Sequence, residues 1–371
     1  MIPQSKSVKT LAMLVLLAIL AGCGDQRILD RVAFVYTTGY DLLPEGRLQI
    51  TIGFPRADPD KPVQREVLSA QGTSSKDARI SMSRQTNLLL VNGQLRIVLF
   101  SSDFARQGVQ GHIDTLLRDP TISPQVKIVV VNGKAQSLQE KNYKMHPPTD
   151  KYIDGLLEKE AEGHSIPRTT LYHFERDLLD DGIDTATPII KDAGDHIEID
   201  GIALFRDDRY VMRISPKDAI LFSILQGAFN KGEMSMKLPG ENGGQQNVMF
   251  ESIVSDRQVR VGRGGSGDFH VTISIKMNGA IREYIGSKRL GRDPDRRALE
   301  REISEYLSGR AQKLTSKMLA GKTDAIGIGM YVRNHIGYRA WKSIPDWNEE
   351  LPNVKVDCRI EYKMKEFGKL R

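Results

Sequence analysis

The sequence predicts an α+β protein of more than one domain, with helices packed on mixed and antiparallel sheets. Three stretches carry that expectation. Residues 95–131 read as strand, helix, strand within about 35 residues, the length of a βαβ unit with its parallel strand pair. Residues 197–205 and 209–214 are apolar-rich runs joined by Arg206-Asp207-Asp208, the pattern of an antiparallel hairpin. A long helical pattern at 295–320 is followed by strict alternation, with Val354, Val356, Cys358, Ile360 and Tyr362 set against Lys355, Asp357, Arg359 and Glu361. Such a period of two belongs to a half-buried strand.

Taken in order, residues 1–22 read as a secretory signal. Lys6 and Lys9 give a positive n-region, and residues 11–21 are an unbroken apolar run, long enough for an h-region and too short to cross a bilayer. Leu20-Ala21-Gly22-Cys23 resembles the bacterial lipobox. That resemblance implies that the Cys23 thiol receives diacylglycerol and that cleavage makes Cys23 the first residue. The chemistry needs a cysteine, whose thiolate is the nucleophile that forms a thioether. One acyl chain anchors marginally, whereas two or three anchor stably. No second apolar run reaches 18 residues, so the remaining chain is expected to be a soluble body tethered to the outer face of a membrane.

After a polar tether at 24–31, residues 32–36 begin a strand, and residues 48–54 alternate as a second one beyond a turn containing Pro44 and Gly46. The proline-containing segment 56–63 is expected to be loop. Thr73-Ser74-Ser75 gives a helix start, with a modest helix over 77–85. Residues 95–100 are a buried strand, and Ser102-Asp103 caps a helix running to about 117, where Phe104, Val109, Ile113, Leu116 and Leu117 form one stripe. A strand at 126–131 follows, then a short helix at 135–141. Pro147-Pro148 marks a break, with helices predicted at 150–161 and 169–179. The main domain boundary is placed near 191–194, giving a signal peptide at 1–22, an N-terminal domain at 23–194 that can subdivide near 148, and a C-terminal domain at 195–371. After the 197–214 hairpin, Ser215-Pro216 supplies an N-cap and an N1 proline for a helix that stops at Gly227. Residues 234–237, 246–254, 258–261 and 269–275 read as sheet, and Asp295 is the expected N-cap of the longest helix.

Composition excludes several classes. The formal charge of +6 falls by two once Lys6 and Lys9 are removed, and basic and acidic residues are interspersed, so no nucleic-acid surface is expected. The two cysteines are Cys23 and Cys358. If the first is acylated, no intramolecular disulfide and no cysteine-based metal site can form. The glycine run at 262–267 satisfies GxGxxG, but a strand and not a helix follows it, which makes a hairpin loop of it and not a phosphate cradle. Gly327-Ile328-Gly329 reads as close helix packing. None of the seven histidines forms an i, i+4 pair, no GxSxG elbow occurs, and Asp180, Asp181 and Asp184 lack EF-hand spacing. The charges of 296–310, such as Glu300 and Ser304 beside Arg301 and Glu305, read as a solvated helix face, with a docking surface for a partner as the alternative. No catalytic, cofactor-binding or metal-ligating residues are therefore expected, and lipidation at Cys23 is the one site.

Several segments in a fixed order are similar to the spore germinant receptor C-subunit family, the Ger(x)C lipoproteins. They are Cys23-Gly24-Asp25-Gln26-Arg27 with Val32-Ala33-Phe34-Val35, then Ser69-Ala70-Gln71-Gly72-Thr73 with Asp77-Ala78, then Phe104-Ala105-Arg106-Gln107-Gly108 with Arg118-Asp119-Pro120. Gly201-Ile202-Ala203-Leu204-Phe205-Arg206, Asp324-Ala325-Ile326-Gly327-Ile328-Gly329, Trp341 and Trp347 complete the set. Gly24 stands where the family usually has an aromatic, and residues 334–339 replace a stretch that usually carries a proline. The resemblance implies an α+β protein without enzymatic activity that works beside two membrane subunits, A and B, in a nutrient-responsive complex of the spore inner membrane. The alternatives are an exported solute-binding lipoprotein of a transporter, which would show strand–helix alternation in both halves, and a tethered hydrolase, for which no catalytic constellation is visible.

Overall fold

The computed structural model describes residues 31–58, 61–227, 229, 232–240, 244–264 and 268–366. Its largest element is an eight-stranded sheet of order β10-β9-β8-β7-β6-β2-β3-β4. The middle of the sheet is parallel: β2 (Thr37–Leu42), β6 (Ile97–Ser101), β7 (Lys127–Val131) and β8 (Ala186–Asp192) run together. Both flanks are antiparallel, with β3 (Leu48–Asp58) and β4 (Lys61–Gly72) on one side and β9 (Ile197–Arg206) and β10 (Arg209–Ile214) on the other. β1 (Val32–Phe34) pairs with β5 (Leu89–Val91) as a separate ribbon.

The continuous apolar runs of β6 and β7 follow from burial on both faces. Val98, Phe100, Ile128 and Val130 point into one core and Ile97, Leu99, Val129 and Val131 into the other. The first core is covered by α1 (Ser75–Ser83), α2 (Ser102–Gln107), α3 (Gln110–Leu117) and α6 (Leu171–Leu179). The second is covered by α4 (Ala135–Glu140) and α5 (Thr149–Glu162).

A third core joins α7 (Pro216–Gln226) to a four-stranded sheet of order β11-β12-β13-β14 and to a long helix, α8 (Asp293–Ala320). The strands are β11 (Met234–Pro239), β12 (Gln245–Arg263), β13 (Phe269–Ile285) and β14 (Lys355–Glu366). Three short helices, α9 (Ile328–Ile336), α10 (Tyr338–Trp341) and α11 (Trp347–Glu350), lead from α8 to β14. β14 returns parallel to β13, so this sheet too is mixed. Ile202, Leu204 and Ile214 of the larger sheet belong to the third core. The turn between β8 and β9 holds the 194/195 division, and one sheet continues across it.

Several expectations change. The helix at 102–117 is two helices. Gly108 adopts φ +117°, a conformation that glycine tolerates, and a Cβ there would meet Asp208 Oδ2 at 2.5 Å. The break lets the backbone N–H of Val109 and Gln110 reach Asp208 on the β9–β10 hairpin. The N-cap is Ser101, whose hydroxyl accepts from Phe104 N, and not Ser102-Asp103. Arg292 is the N-cap residue of α8, while Asp295 lies inside its first turn and accepts from Arg289 N. Outside residues 59–60, the segment expected as loop is strand; β3 runs past Gly53, where β2 stops pairing with it, and an edge without that neighbour tolerates Pro55. Residues 246–254 and 258–261 are one strand with a bulge at 251–254, which breaks the alternation that would have marked it.

The polar face of α8 is the largest correction. Glu300, Ser304, Ser308 and Gln312 are not a solvated row. They accept from the backbone N–H of Met364, Tyr362, Ile360 and Cys358 at 2.9, 3.0, 2.8 and 2.9 Å. Four helical residues rise about 6 Å and two strand residues about 6.6 Å, so side chains at i, i+4, i+8 and i+12 match alternate N–H groups of an antiparallel strand. The helix thereby closes the outer edge of β14, which would otherwise present unpaired donors to another chain. Cys358 lies on the apolar side, 7% exposed, with its Sγ 3.4 Å from Thr315 Oγ1, and burial pushes its thiol pKa up.

Candidate functional site

Cys23, the one site residue read from the sequence, lies outside the described residues, as do the residues of the lipobox. The described chain starts just before β1. The glycine run joins β12 to β13, with Gly264 N donating to Asp268 O at 2.8 Å and Gly265, Ser266 and Gly267 outside the described residues. A strand follows, as a hairpin requires. Among the described residues no group of three His, Cys, Asp or Glu side chains could hold a metal ion, and no helix is long and apolar enough to cross a membrane.

What the structure assembles is a buried junction between distant parts of the chain. Asp184 follows α6 and Asp324 follows α8, and each is almost completely buried. Asp324 N donates to Asp184 Oδ2 at 2.6 Å, and Asp184 N donates to Asp324 O at 3.1 Å. Asp184 Oδ1 also accepts from Asp207 N at 3.1 Å and Asn348 Nδ2 at 3.2 Å. Asp324 accepts from Ile328 N at 2.7 Å, Gly329 N at 2.6 Å and Trp347 Nε1 at 2.8 Å. The first two donors are the opening N–H groups of α9, which have no partner inside the helix and attract an anion.

Two glycines let the junction close. Gly327 takes φ +70° to turn the chain into α9. A Cβ on Gly329 would lie 2.6 Å from Trp347 Nε1 and 2.8 Å from Gly182 Cα. Gly182 O in turn accepts from Met330 N at 3.0 Å. The close packing expected of Gly327-Ile328-Gly329 is thus present, and its partner is the acidic turn at 180–184. An ionic rim surrounds it: Arg333 grips Asp180 with two bonds of 2.8 and 3.2 Å, Lys342 reaches Asp181 at 2.7 Å, and Arg206 reaches Glu349 at 2.9 Å. These contacts join residues more than 140 positions apart.

Burial raises the Asp184 carboxyl to about 6 and the Asp324 carboxyl to about 7, desolvation outweighing the donors that favour the anion. At the rim, Asp180 is lowered, with Arg333 and Gly182 N outweighing a smaller degree of burial. Chemically, the Asp324 oxygens are occupied by donors of the same chain, and with 1% of the residue exposed no substrate can reach them. The arrangement fastens the two halves together. Asp184 and Asp324 are 140 residues apart, so the sequence displays the Asp324–Gly329 motif without its partner.

Two family descriptions match the chain, one in each half. Residues 25–192 match a family described as the spore germination protein N-terminal domain, and residues 200–368 match the spore germination B3/GerAC-like C-terminal family. The spore germination protein GerQC of Bacillus cereus is 27% identical over 355 residues, covering 96% of this chain and 97% of its own. In fold, the chain is similar to the crystal structure of the GerBC protein, with a TM-score of 0.55 at 15% identity over 90% of this chain and 98% of that one. The two family matches lie end to end with the Asp184–Asp324 junction holding them together, and the chain belongs to the Ger(x)C family of spore germination proteins.

Proposed function

We propose that this chain is a lipid-anchored, non-catalytic subunit of a nutrient germinant receptor complex acting in spore germination. The observation that carries the proposal is the pair of family matches spanning 25–192 and 200–368. The signal and lipobox at 1–23 support an anchor on Cys23, on the outer face of the spore inner membrane. A lipid enters one leaflet only, so a signal must pass through partners that span; the family resemblance supports the A and B membrane subunits in that role. Confinement to the same membrane raises the effective concentration of subunit and partner, which is the physical use of the tether. The hydrogen bonds of Asp184 and Asp324 tie the two matched segments together, which supports their acting as a unit.

The test is germination of spores carrying Cys23→Ala, with the protein confirmed as unlipidated, together with co-purification from the spore membrane. Loss of the nutrient response and loss of co-purifying multi-span subunits is the expected result. Unchanged germination would remove the tether from the mechanism.

A further inference from the structure

A cavity of about 590 Å³ opens on the N-terminal side of the large sheet, bounded by β2, β3, α1 and the end of α3. Its lining is mostly apolar, with Tyr40, Ile50, Ile52, Met82, Leu95 and Leu116 among it, each otherwise packed into the core. A second recess of about 470 Å³ shares Arg79, Leu90, Asn92 and Asp119 with it and extends it towards Val32 and Phe34 of β1. At the rim two large apolar side chains are exposed, Ile80 at 55% and Leu89 at 52%. An apolar cavity of roughly 150 Å³ already takes a benzene-sized guest and excludes water. This one is several times larger and elongated by the adjoining recess, which suits a chain better than a ring.

The charged groups lining the cavity are three cations and one acid, so the mouth carries a net positive charge. Lys76, Arg79 and Arg118 line it, and among the described residues none of them makes an ion pair. Arg79 is held in place by a hydrogen bond from its guanidinium to Leu90 O. The one acid, Asp119, is already engaged: it accepts from Thr121 N at 3.0 Å, Thr121 Oγ1 at 2.6 Å and Asn92 Nδ2 at 3.0 Å. Three cations over an apolar hollow complement a molecule with a long apolar body and one anionic end.

We propose that this cavity binds a single long acyl chain ending in an anionic group, the chain in the hollow and the anion between Lys76, Arg79 and Arg118. The site lies within the described body and does not depend on the lipid of Cys23. A free long-chain carboxylate and the acyl chain of an anionic membrane lipid share this chemistry.

The experiment uses the full chain carrying Cys23→Ala, titrated with decanoate by calorimetry and, separately, with phosphatidylglycerol vesicles by co-sedimentation. One saturable site for decanoate, with butyrate at least a hundredfold weaker and decanol at least tenfold weaker, supports the free carboxylate; binding of the vesicles alone supports the membrane lipid. In either case Lys76→Gln with Arg118→Gln should weaken binding about tenfold. Leu116→Trp should abolish it, and so should Ile80→Trp, which fills the mouth from an exposed position and leaves the core intact. Absence of saturable binding in both arms overturns the proposal. So does binding indifferent to the charge changes and to both tryptophans, which would point to adsorption elsewhere on the surface.

Discussion

Replacing Asp324 with alanine should be the most damaging single change outside the apolar cores. The carboxylate takes three buried donors: two from the start of α9 and the indole of Trp347. Each donor left without an acceptor costs roughly 1–3 kcal/mol. The sum is reduced because the change removes a buried charge lying close to that of Asp184 and opens room for water, so a net loss of about 3–4 kcal/mol is expected. Urea unfolding of the chain carrying Cys23→Ala, followed by tryptophan fluorescence, measures it directly, since Trp347 is itself a donor and its ring centroid lies 5.1 Å from that of Trp341. The carboxyls add a pH signature. Their folded pKa values, about 7 for Asp324 and about 6 for Asp184, lie above the ordinary value, so between pH 4 and 7 the folded state binds more protons than the unfolded one. Their contribution therefore falls as pH rises through that window, by up to about 1.4 kcal/mol per pH unit for each proton. His112 and His173, lowered by burial, act in the opposite sense below pH 6.5, which makes the comparison with Asp324→Asn the informative one. Asp324→Asn should flatten the decline between pH 5 and 8. A loss below 1 kcal/mol for Asp324→Ala, or an unchanged pH profile in Asp324→Asn, would refute the junction as described.

Three further outcomes follow. Gly329→Ala should destabilise by more than about 2 kcal/mol, because the new methyl meets Gly182 backbone that cannot swing away; calorimetric melting checks it. Ser308→Ala alone should cost about 1 kcal/mol, whereas Ser304→Ala, Ser308→Ala and Gln312→Ala together should uncover the β14 edge and yield oligomers on size-exclusion chromatography, a monomeric triple variant being the contrary result. Cys358 should resist a thiol reagent in the native protein and react once urea unfolds it; rapid native labelling would contradict its burial behind α8.

The elements with a clean local period were legible from sequence. β14 announces itself through the alternation of Val356, Cys358, Ile360 and Tyr362, and β6 and β7 through unbroken apolar runs. α7 is marked at both ends by Ser215-Pro216 and Gly227. What escaped depends on partners remote in the chain. Gly108 splits a helical stripe because Asp208, a hundred residues on, captures the freed N–H groups. Ser304 and Ser308 look like solvent positions on any helical wheel, and only the arrival of β14 gives them donors to accept. The cavity beneath α1 likewise arises from four separate segments. Asp184 and Asp324 are each unremarkable in their own windows; their burial is set by the docking of α9 on the 180–184 turn.

The proposed hold of lipid on Cys23 is tested by intact-mass and N-terminal analysis of the mature protein extracted from spore membranes. The mature chain should begin at Cys23 and carry a diacylglyceryl thioether. A mature chain that begins at any other residue, or one with a free Cys23 thiol, would contradict it.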